Sequence, residues 1–443
     1  MLNPSQTVRL FRIFPVSILK HVTERKSTAR EGVWVLLGQS CSALASLVGV
    51  RLLTEFITPE VFGGVSLLLG LAMLGSNLAC APLLQAALRF YPDMCNAGQA
   101  PILRRAITRL LSRATFLLLV VVVGGGGLHS FFTGSSWWEY IALAAVMLVD
   151  VARGLEMNLL AAARRQKAYA LWSAWEACAR PIAAIAAISF WKVSPDVVLW
   201  GYCFASLLGY LGFRMLSRPE GADFAGPEGS SLVSEIWVYA LPLVPLAVVG
   251  WISSLSDRFL IGGVLGLEQV GIYAAAYGLV SRPFLILGNI ICLTLRPMFF
   301  EAITRHDSGA EKRVFSLWLR LSIVGSIFGV ICFALLKVSV ASLLLAAPYQ
   351  SAAGLMPWIA LGYCFYVLAI VHEQVIYAYK RTALLLRMHT CVAAVSLLTG
   401  GLGAFYLGLF GAALACPAYF LCHLILAIVY AKAGRTLALK AQP

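Results

Sequence analysis

Long apolar stretches separated by short polar breaks make up most of this sequence. A helix needs about 20 apolar residues to cross the ~30 Å hydrocarbon core of a bilayer, and twelve stretches are long enough. They lie near residues 32–56, 61–88, 111–133, 137–160, 169–191, 196–216, 235–265, 268–295, 316–338, 353–378, 384–406 and 409–431. Unpaired backbone groups are costly in lipid, and the alternating segments of a membrane barrel are absent, so the pattern predicts an all-α integral membrane protein with twelve transmembrane helices.

The distribution of basic residues orients these helices. Only 12% of the residues are charged, about half the share of an average soluble protein. Most of the 34 Lys and Arg residues lie in the first 30 residues, in the breaks after the even-numbered spans or in the tail, and the opposite ends carry only Arg51, Lys192, Arg258 and Lys337. The positive-inside rule therefore predicts that both termini are cytoplasmic. Because the charge of +14 is not gathered on a soluble domain, nucleic-acid binding is not expected.

The most polar break divides the spans six and six, which predicts two lobes. The expected organisation is a basic cytoplasmic tail at 1–30, a six-helix lobe at 31–217, a cytoplasmic linker at 218–234, a second six-helix lobe at 235–432 and a cytoplasmic tail at 433–443. The eleven cysteines are scattered and include no C-x-x-C, so neither a disulfide framework nor a metal site is predicted.

A short internal repeat supports the two-lobe reading. The segments PEVFGGVSLLLGL (59–71) and LEQVGIYAAAYGL (267–279) align at a constant offset of 208 positions. The identical pairs are Glu60 with Glu268, Gly63 with Gly271, Gly70 with Gly278 and Leu71 with Leu279. Each segment joins the first and second spans of its half at the outer face, so the repeat is parallel and predicts a pseudo-twofold axis along the membrane normal.

Asp257 and Arg258 stand side by side near the outer end of the seventh span. Adjacent helical residues point about 100° apart and do not pair directly. We therefore expect at least one of them to face the groove between the halves, the alternative being that both reach the lipid headgroups.

Three segments resemble a known family. The run SDRFLIGGVLGLEQVGIYAAAYGL (256–279) is similar to the seventh-to-eighth helix hairpin of bacterial oligosaccharide flippases (Wzx-like) of the multidrug/oligosaccharidyl-lipid/polysaccharide exporter superfamily. RLLTEFITPEVFG (51–63) resembles the first hairpin of that family, and RFYP (89–92) resembles the segment after its second span. The resemblance implies a MATE-like fold of two lobes with a cavity between them.

The same resemblance implies a function and partners. Such proteins move an undecaprenyl-diphosphate-linked sugar repeat unit across the bacterial inner membrane for lipopolysaccharide or exopolysaccharide synthesis. The implied partners are the lipid-linked oligosaccharide, membrane lipid, and a polysaccharide polymerase with its chain-length regulator. No cofactor is expected, and H⁺ or Na⁺ is the expected coupling ion if there is one.

Two arginines near the middle of spans are the leading candidates for substrate contacts. Arg180 and Arg282 each precede a proline, which kinks the helix and leaves a backbone carbonyl free. A buried charge costs roughly 2.5 to 3.5 kcal/mol on insertion scales, so each is expected to face a cavity or a partner. One guanidinium group can donate two parallel hydrogen bonds to phosphate oxygens, which suits the implied diphosphate. For Arg180 the alternative is a structural ion pair with Glu176 one turn earlier.

The remaining charged residues of the spans are weaker candidates. Asp150, Arg153 and Glu156 recur at steps of three along one helix face, and either pair among themselves or form an H⁺ or Na⁺ coupling site. Arg153, Arg258 and Arg320 are further candidates for substrate contacts, although Arg320 is also placed to snorkel to the surface. Candidate coupling or gating residues are Asp150, Glu156, Glu176, Asp257, Arg51, which has Glu55 one turn later, and Glu373, which follows His372.

Two other function classes remain open on the sequence. An ion-coupled multidrug or cation antiporter of the same superfamily would carry acidic residues in its central cavity, where this chain offers arginines. A membrane-bound enzyme would need catalytic groups on a sizeable extramembrane loop, and the longest breaks here are basic and cytoplasmic. The expected order is flippase, antiporter, enzyme.

Overall fold

The computed structural model describes residues 38–134, 136–163, 165–216, 230–305, 307–379 and 382–440, and these ranges are helical with short connections and no strand. The predicted tail at 1–30 lies outside the described residues, as do most of the predicted linker at 218–234 and the last three residues of the predicted tail at 433–443.

Seven helices form the first lobe. They are α1 over 38–56, α2 (Pro59–Ala79), α3 (Ala81–Asn96), α4 (Ala100–Thr133), α5 (Trp138–Ala162), α6 (Gln166–Phe190) and α7 (Pro195–Leu216). The second half contains α8 (Ser230–Ala240), α9 (Leu243–Leu265), α10 (Leu267–Thr304), α11 (Ser308–Leu344), a 3-10 helix (Ala347–Gly354), α12 (Met356–Ala378) and α13 (Thr382–Lys440). Gly408 interrupts α13 with φ 61° and ψ −147°, and the chain turns back there into two arms, 382–407 and 409–440.

The predicted twelve spans in two six-helix lobes are confirmed. Among the described residues, eight helices are long and apolar enough to cross a membrane, and one of these, Ala383–Arg435, contains both arms of α13. The helices α5 and α6 carry charges in their middle, yet each has 25 residues, which exceeds the roughly 20 that a crossing needs. The remaining span, the first, is α1, of which residues 38–56 are described.

Two predicted spans are each built from two helices. The second span breaks at Cys80 into α2 and α3, and Pro82 stands in the first turn of α3, where a residue without an N–H is tolerated. The seventh span breaks into α8 and α9 at Leu241 and Pro242, because proline cannot donate the backbone hydrogen bond that would continue the helix. The short α8 packs Ile236 and Ala240 into a hydrophobic cluster with α3 and α4 of the first lobe.

The predicted repeat forms the crossing between the lobes. A Cβ atom at Gly63 of α2 would lie 2.0 Å from the carbonyl oxygen of Leu267, and a Cβ atom at Gly271 of α10 would lie 1.9 Å from the carbonyl oxygen of Pro59. Pro59 and Leu267 occupy equivalent places in the repeat, so the two contacts are symmetric. Glycine permits this close backbone approach, and the paired glycines therefore fix where the two lobes meet.

The 3-10 helix of the second lobe lies beside the same end. The hydroxyl of Tyr349 donates a hydrogen bond to the carbonyl of Ile57 at 3.0 Å, and the backbone N–H of Ala346 donates to the hydroxyl of Thr54 at 3.3 Å. These contacts tie the end of α1 to the second lobe.

Candidate functional site

A cavity of about 540 Å³ lies between the two lobes. Helices α1, α2, α5, α6 and α7 line it from the first lobe, and α9 and α10 line it from the second. Its charged lining consists of four arginines and one carboxylate: Arg153, Arg180, Arg258, Arg282 and Glu176. Four predicted substrate-contact residues from different helices are thus gathered at one place, with an excess of positive charge.

The arginines on the first-lobe side are paired with carboxylates. Arg180 donates from Nε to Glu176 at 2.8 Å and to the hydroxyl of Ser206 at 2.9 Å, and its Nη2 contacts Asp150. Arg153 donates from Nε to Asp150 at 3.3 Å, and the same nitrogen lies 3.9 Å from Glu176. The charges of the two arginines are balanced by those of Asp150 and Glu176. Arg180 therefore belongs to an ion-pair network, as the structural alternative predicted, and it also lines the cavity.

The arginines on the second-lobe side have no such compensation. Arg258 donates from Nη1 to the hydroxyl of Ser66 at 3.1 Å and lies over the ring of Tyr277 at 5.5 Å, while its buried Nε has no hydrogen-bond partner. The buried Nη1 of Arg282 has none either. Within the described ranges neither guanidinium lies within ion-pair distance of a carboxylate. Buried donors without partners are uncommon and costly, so this side of the cavity is suited to receive an anion.

Local sequence explains how Arg180 and Arg282 reach the cavity. Each precedes a proline inside a continuous helix, Pro181 in α6 and Pro283 in α10, and proline bends the helix at that point. Pro181 also packs where α1 approaches, because a Cβ atom at Gly49 would lie 2.7 Å from its Cγ. Gly49 therefore lets α1 close one wall of the cavity.

Asp257 and Arg258 diverge from one another. The carboxylate of Asp257 is buried inside the second lobe, where one oxygen accepts a hydrogen bond from the hydroxyl of Tyr273 at 2.7 Å and the other from the backbone N–H of Arg258 at 2.8 Å. Arg258 points to the cavity. The expectation that one of the pair faces the groove agrees with this placement, and Asp257 serves to hold α9 against α10.

Replacing Tyr273 by phenylalanine is expected to destabilise the second lobe by about 1 to 3 kcal/mol, because a buried carboxylate loses a hydrogen-bond donor. Thermal unfolding of the purified full-length protein in detergent would measure the change. The matched control is Tyr406→Phe, since Tyr406 is 74% exposed. Equal unfolding midpoints for the two variants would contradict a structural role for this hydrogen bond.

The expected triad of Asp150, Arg153 and Glu156 does not hold together. Asp150 pairs with Arg153, but Glu156 pairs with Arg104 of α4. That pair lines a separate cavity of about 400 Å³ within the first lobe. Because each step of three residues rotates the side chain by about 60° around the helix axis, six positions turn Glu156 away from Asp150.

Three other predicted site residues lie away from the cavity. Arg320 is exposed on α11, in agreement with the snorkelling alternative and not with substrate contact. Arg51 pairs with Glu55 at 2.5 Å, as their spacing of one helical turn predicts. Glu373, a candidate coupling residue, contacts two histidines of α13, and the neighbouring His372 contacts the carbonyl of Leu368.

Sequence reasoning missed the neutral polar lining. Tyr202 of α7 and Ser66 of α2 line the cavity, and Ser66 accepts a hydrogen bond from Arg258. Ser206, which is buried, accepts a hydrogen bond from Arg180. Serine and tyrosine inside apolar spans are common, so only the fold singles them out. His389 and His423, the two histidines that contact Glu373, are visible in the sequence as ionisable residues inside spans, and such residues usually have a partner.

Solved structures share this architecture. An inward-facing multidrug resistance MATE family transporter of the MOP superfamily has a TM-score of 0.74 at 10% identity, covering 91% of this chain and 96% of that chain. The lipid II flippase MurJ in an inward closed conformation has a TM-score of 0.70 at 12% identity, covering 93% and 90%. The fold is therefore MATE-like, with two lobes of helices.

Comparison of the sequence with family models is more specific than the fold. A family model described as polysaccharide biosynthesis protein matches residues 28–303, which is more than half of the 443 residues, and the chain belongs to this family. No curated protein matches it. The membership confirms the resemblance drawn from the two hairpin segments.

Proposed function

We propose that this protein is a flippase that moves undecaprenyl-diphosphate-linked oligosaccharide repeat units across the bacterial inner membrane, supplying lipopolysaccharide or exopolysaccharide synthesis. The observation that carries the proposal is the pair Arg258 and Arg282, which line the cavity between the lobes and, within the described ranges, have no carboxylate partner. A diphosphate offers several anionic oxygens, and guanidinium groups bind such oxygens in pairs. The attraction between these guanidinium groups and the diphosphate is stronger where water is scarce, because the local dielectric constant is low.

The lobes are expected to rock about the glycine crossing and open the cavity alternately to the two faces. The arginines hold the diphosphate, and the sugars occupy the polar part of the cavity, whose lining includes Ser42, Ser46 and Ser173. The polyprenyl tail stays in lipid. Both termini are cytoplasmic in this arrangement, the protein performs no covalent chemistry, and a polymerase with its chain-length regulator receives the product. A coupling ion, H⁺ or Na⁺, completes the cycle if movement is driven.

The test uses a strain that lacks this protein. Polyprenyl-diphosphate-linked glycans are extracted, and the fraction open to an impermeant periplasmic probe is measured. Accumulation of intact repeat units inaccessible to the probe, reversed by the wild-type chain, is the expected result. An unchanged glycan distribution with altered resistance to cationic drugs would overturn the proposal and favour the antiporter of the same superfamily.

A variant of Glu176 allows the flippase and the antiporter to be distinguished by a binding measurement. Glu176 is the one carboxylate among the described residues of the cavity lining, and a cation antiporter would use it to attract its substrate. Glu176→Gln removes a negative charge beside Arg180, so we expect binding of inorganic pyrophosphate, a soluble stand-in for the headgroup, to strengthen on the order of tenfold. Calorimetry on the purified full-length protein would measure this.

The control for that measurement is Glu301→Gln, the same substitution at an exposed glutamate that forms an ion pair with Arg305. Its pyrophosphate affinity should equal that of the wild type. Weaker pyrophosphate binding by Glu176→Gln, together with lost binding of a cationic drug, would speak for the antiporter.

A further inference from the structure

A buried cluster in the second lobe combines a carboxylate with two imidazoles. Glu373 of α12 places Oε1 2.8 Å from Nε2 of His423 and 3.2 Å from Nε2 of His389. The histidines come from opposite arms of α13. The three ligand atoms all lie within 4.8 Å of one another, and none of the three residues lines the cavity between the lobes.

We propose that Glu373, His389 and His423 form a binding site for a divalent transition-metal ion, with Zn²⁺ as the best fit. A tetrahedral Zn²⁺ holds nitrogen and oxygen ligands at about 2.0 to 2.1 Å, which separates neighbouring ligand atoms by about 3.3 to 3.4 Å. The two oxygen–nitrogen distances here need to widen by only a fraction of an ångström to reach that value. Two histidines with one carboxylate is also a ligand set found in zinc sites, with the fourth position left to water.

The donor set selects the class of ion. Ca²⁺ and Mg²⁺ take oxygen ligands almost throughout, whereas imidazole nitrogen favours Zn²⁺ and its neighbours in the first transition row. The donor set of the proposed site therefore favours a transition-metal ion over Ca²⁺ or Mg²⁺.

Burial and access agree with a bound ion. Side chains of His423 and Glu373 are 3% and 9% exposed, while that of His389 is 23% exposed, so His389 is the most accessible of the three ligands. A metal ion on these three residues would tie α12 to both arms of α13. It would thereby brace the second lobe, since an ion that binds only the folded protein stabilises it by mass action.

The alternative is a cluster without metal, in which each histidine donates an N–H hydrogen bond to the carboxylate. That arrangement takes up no metal, so a direct binding measurement decides between the two. The proposal stands apart from the proposed transport function, and Arg282→Ala is expected to bind metal as the wild type does.

The experiment titrates Co²⁺, a spectroscopic substitute for Zn²⁺, into the full-length protein in detergent after chelator treatment and removal of any affinity tag. The expected result is equimolar binding with the visible absorption of a tetrahedral Co²⁺ site, abolished on adding Zn²⁺. His389→Gln and His423→Gln should each weaken binding by at least about 100-fold, more than the loss of an outer-shell contact. Zn²⁺ should raise the thermal midpoint of the wild type and leave that of His389→Gln unchanged.

The matched control is His372→Gln, which alters a histidine of α12 that contacts the Leu368 carbonyl and packs on Phe315 outside the cluster. Its Co²⁺ affinity should equal that of the wild type. Because His389 is the most accessible member, His389→Gln should fold even if His423→Gln does not. Absence of Co²⁺ binding by the wild type, or equal affinity in wild type and His389→Gln, would overturn the proposal.

Discussion

Arg282→Ala is expected to abolish export of the repeat unit while the protein remains folded and at its normal level. Under the proposed function the guanidinium meets the diphosphate in a region poor in water, and removing one partner of such a charge pair costs about 3 to 4 kcal/mol, or roughly 100- to 1000-fold in binding. The measurement is the accumulation of lipid-linked repeat units on the cytoplasmic side of a deletion strain carrying the variant.

The same variant should show no loss of stability. The buried Nη1 of Arg282 has no hydrogen-bond partner, and none of the described carboxylates is within ion-pair distance of this arginine. Removing an uncompensated buried charge is neutral or stabilising for the fold. Lost export with an unchanged or higher thermal midpoint therefore distinguishes a substrate contact from a structural role.

Two further variants sharpen this result. Arg282→Lys keeps the charge but loses the paired donors, so it should export at an intermediate rate. Arg320→Ala removes an exposed arginine of the neighbouring α11 that does not line the cavity, and should export normally. Normal export by Arg282→Ala would contradict the proposal that Arg282 holds the diphosphate in the cavity.

Gly271→Ala is expected to destabilise the protein by about 3 kcal/mol or more, the upper range for overpacking. Its new Cβ atom would lie 1.9 Å from the carbonyl oxygen of Pro59. That oxygen belongs to the backbone at the start of α2, so relief requires the two lobes to move apart. Thermal unfolding of the detergent-solubilised protein would measure the loss.

Symmetry supplies a second test at the same crossing. Gly63→Ala would place its Cβ atom 2.0 Å from the carbonyl oxygen of Leu267, so its effect should match that of Gly271→Ala. The control is Gly263→Ala in α9, where a Cβ atom meets nothing within 4 Å and alanine favours the helix by about 0.5 to 1 kcal/mol. Equal stability of Gly271→Ala and Gly263→Ala would show that the lobes do not meet through these glycines.

The sequence by itself determined the spans, the two lobes and the internal repeat that relates them. Apolar length settles how many helices cross, because lipid leaves backbone groups no partner outside the helix. The repeat also paired Gly63 with Gly271, but the structure was needed to show that each packs against the backbone of the other lobe, a closeness that few residues except glycine allow. The arginines before Pro181 and Pro283 were also evident from the sequence, since a charge inside an apolar span is rare enough to stand out.

Only the tertiary structure decided which of these charges act together. Asp257 and Arg258 are neighbours in sequence, yet one is held by Tyr273 inside a lobe and the other faces the cavity. Glu373 meets histidines that are far from it along the chain. The physical reason is that helix periodicity fixes the relative direction of side chains on one helix, whereas the partner across the gap depends on how each helix is rotated and packed against the next.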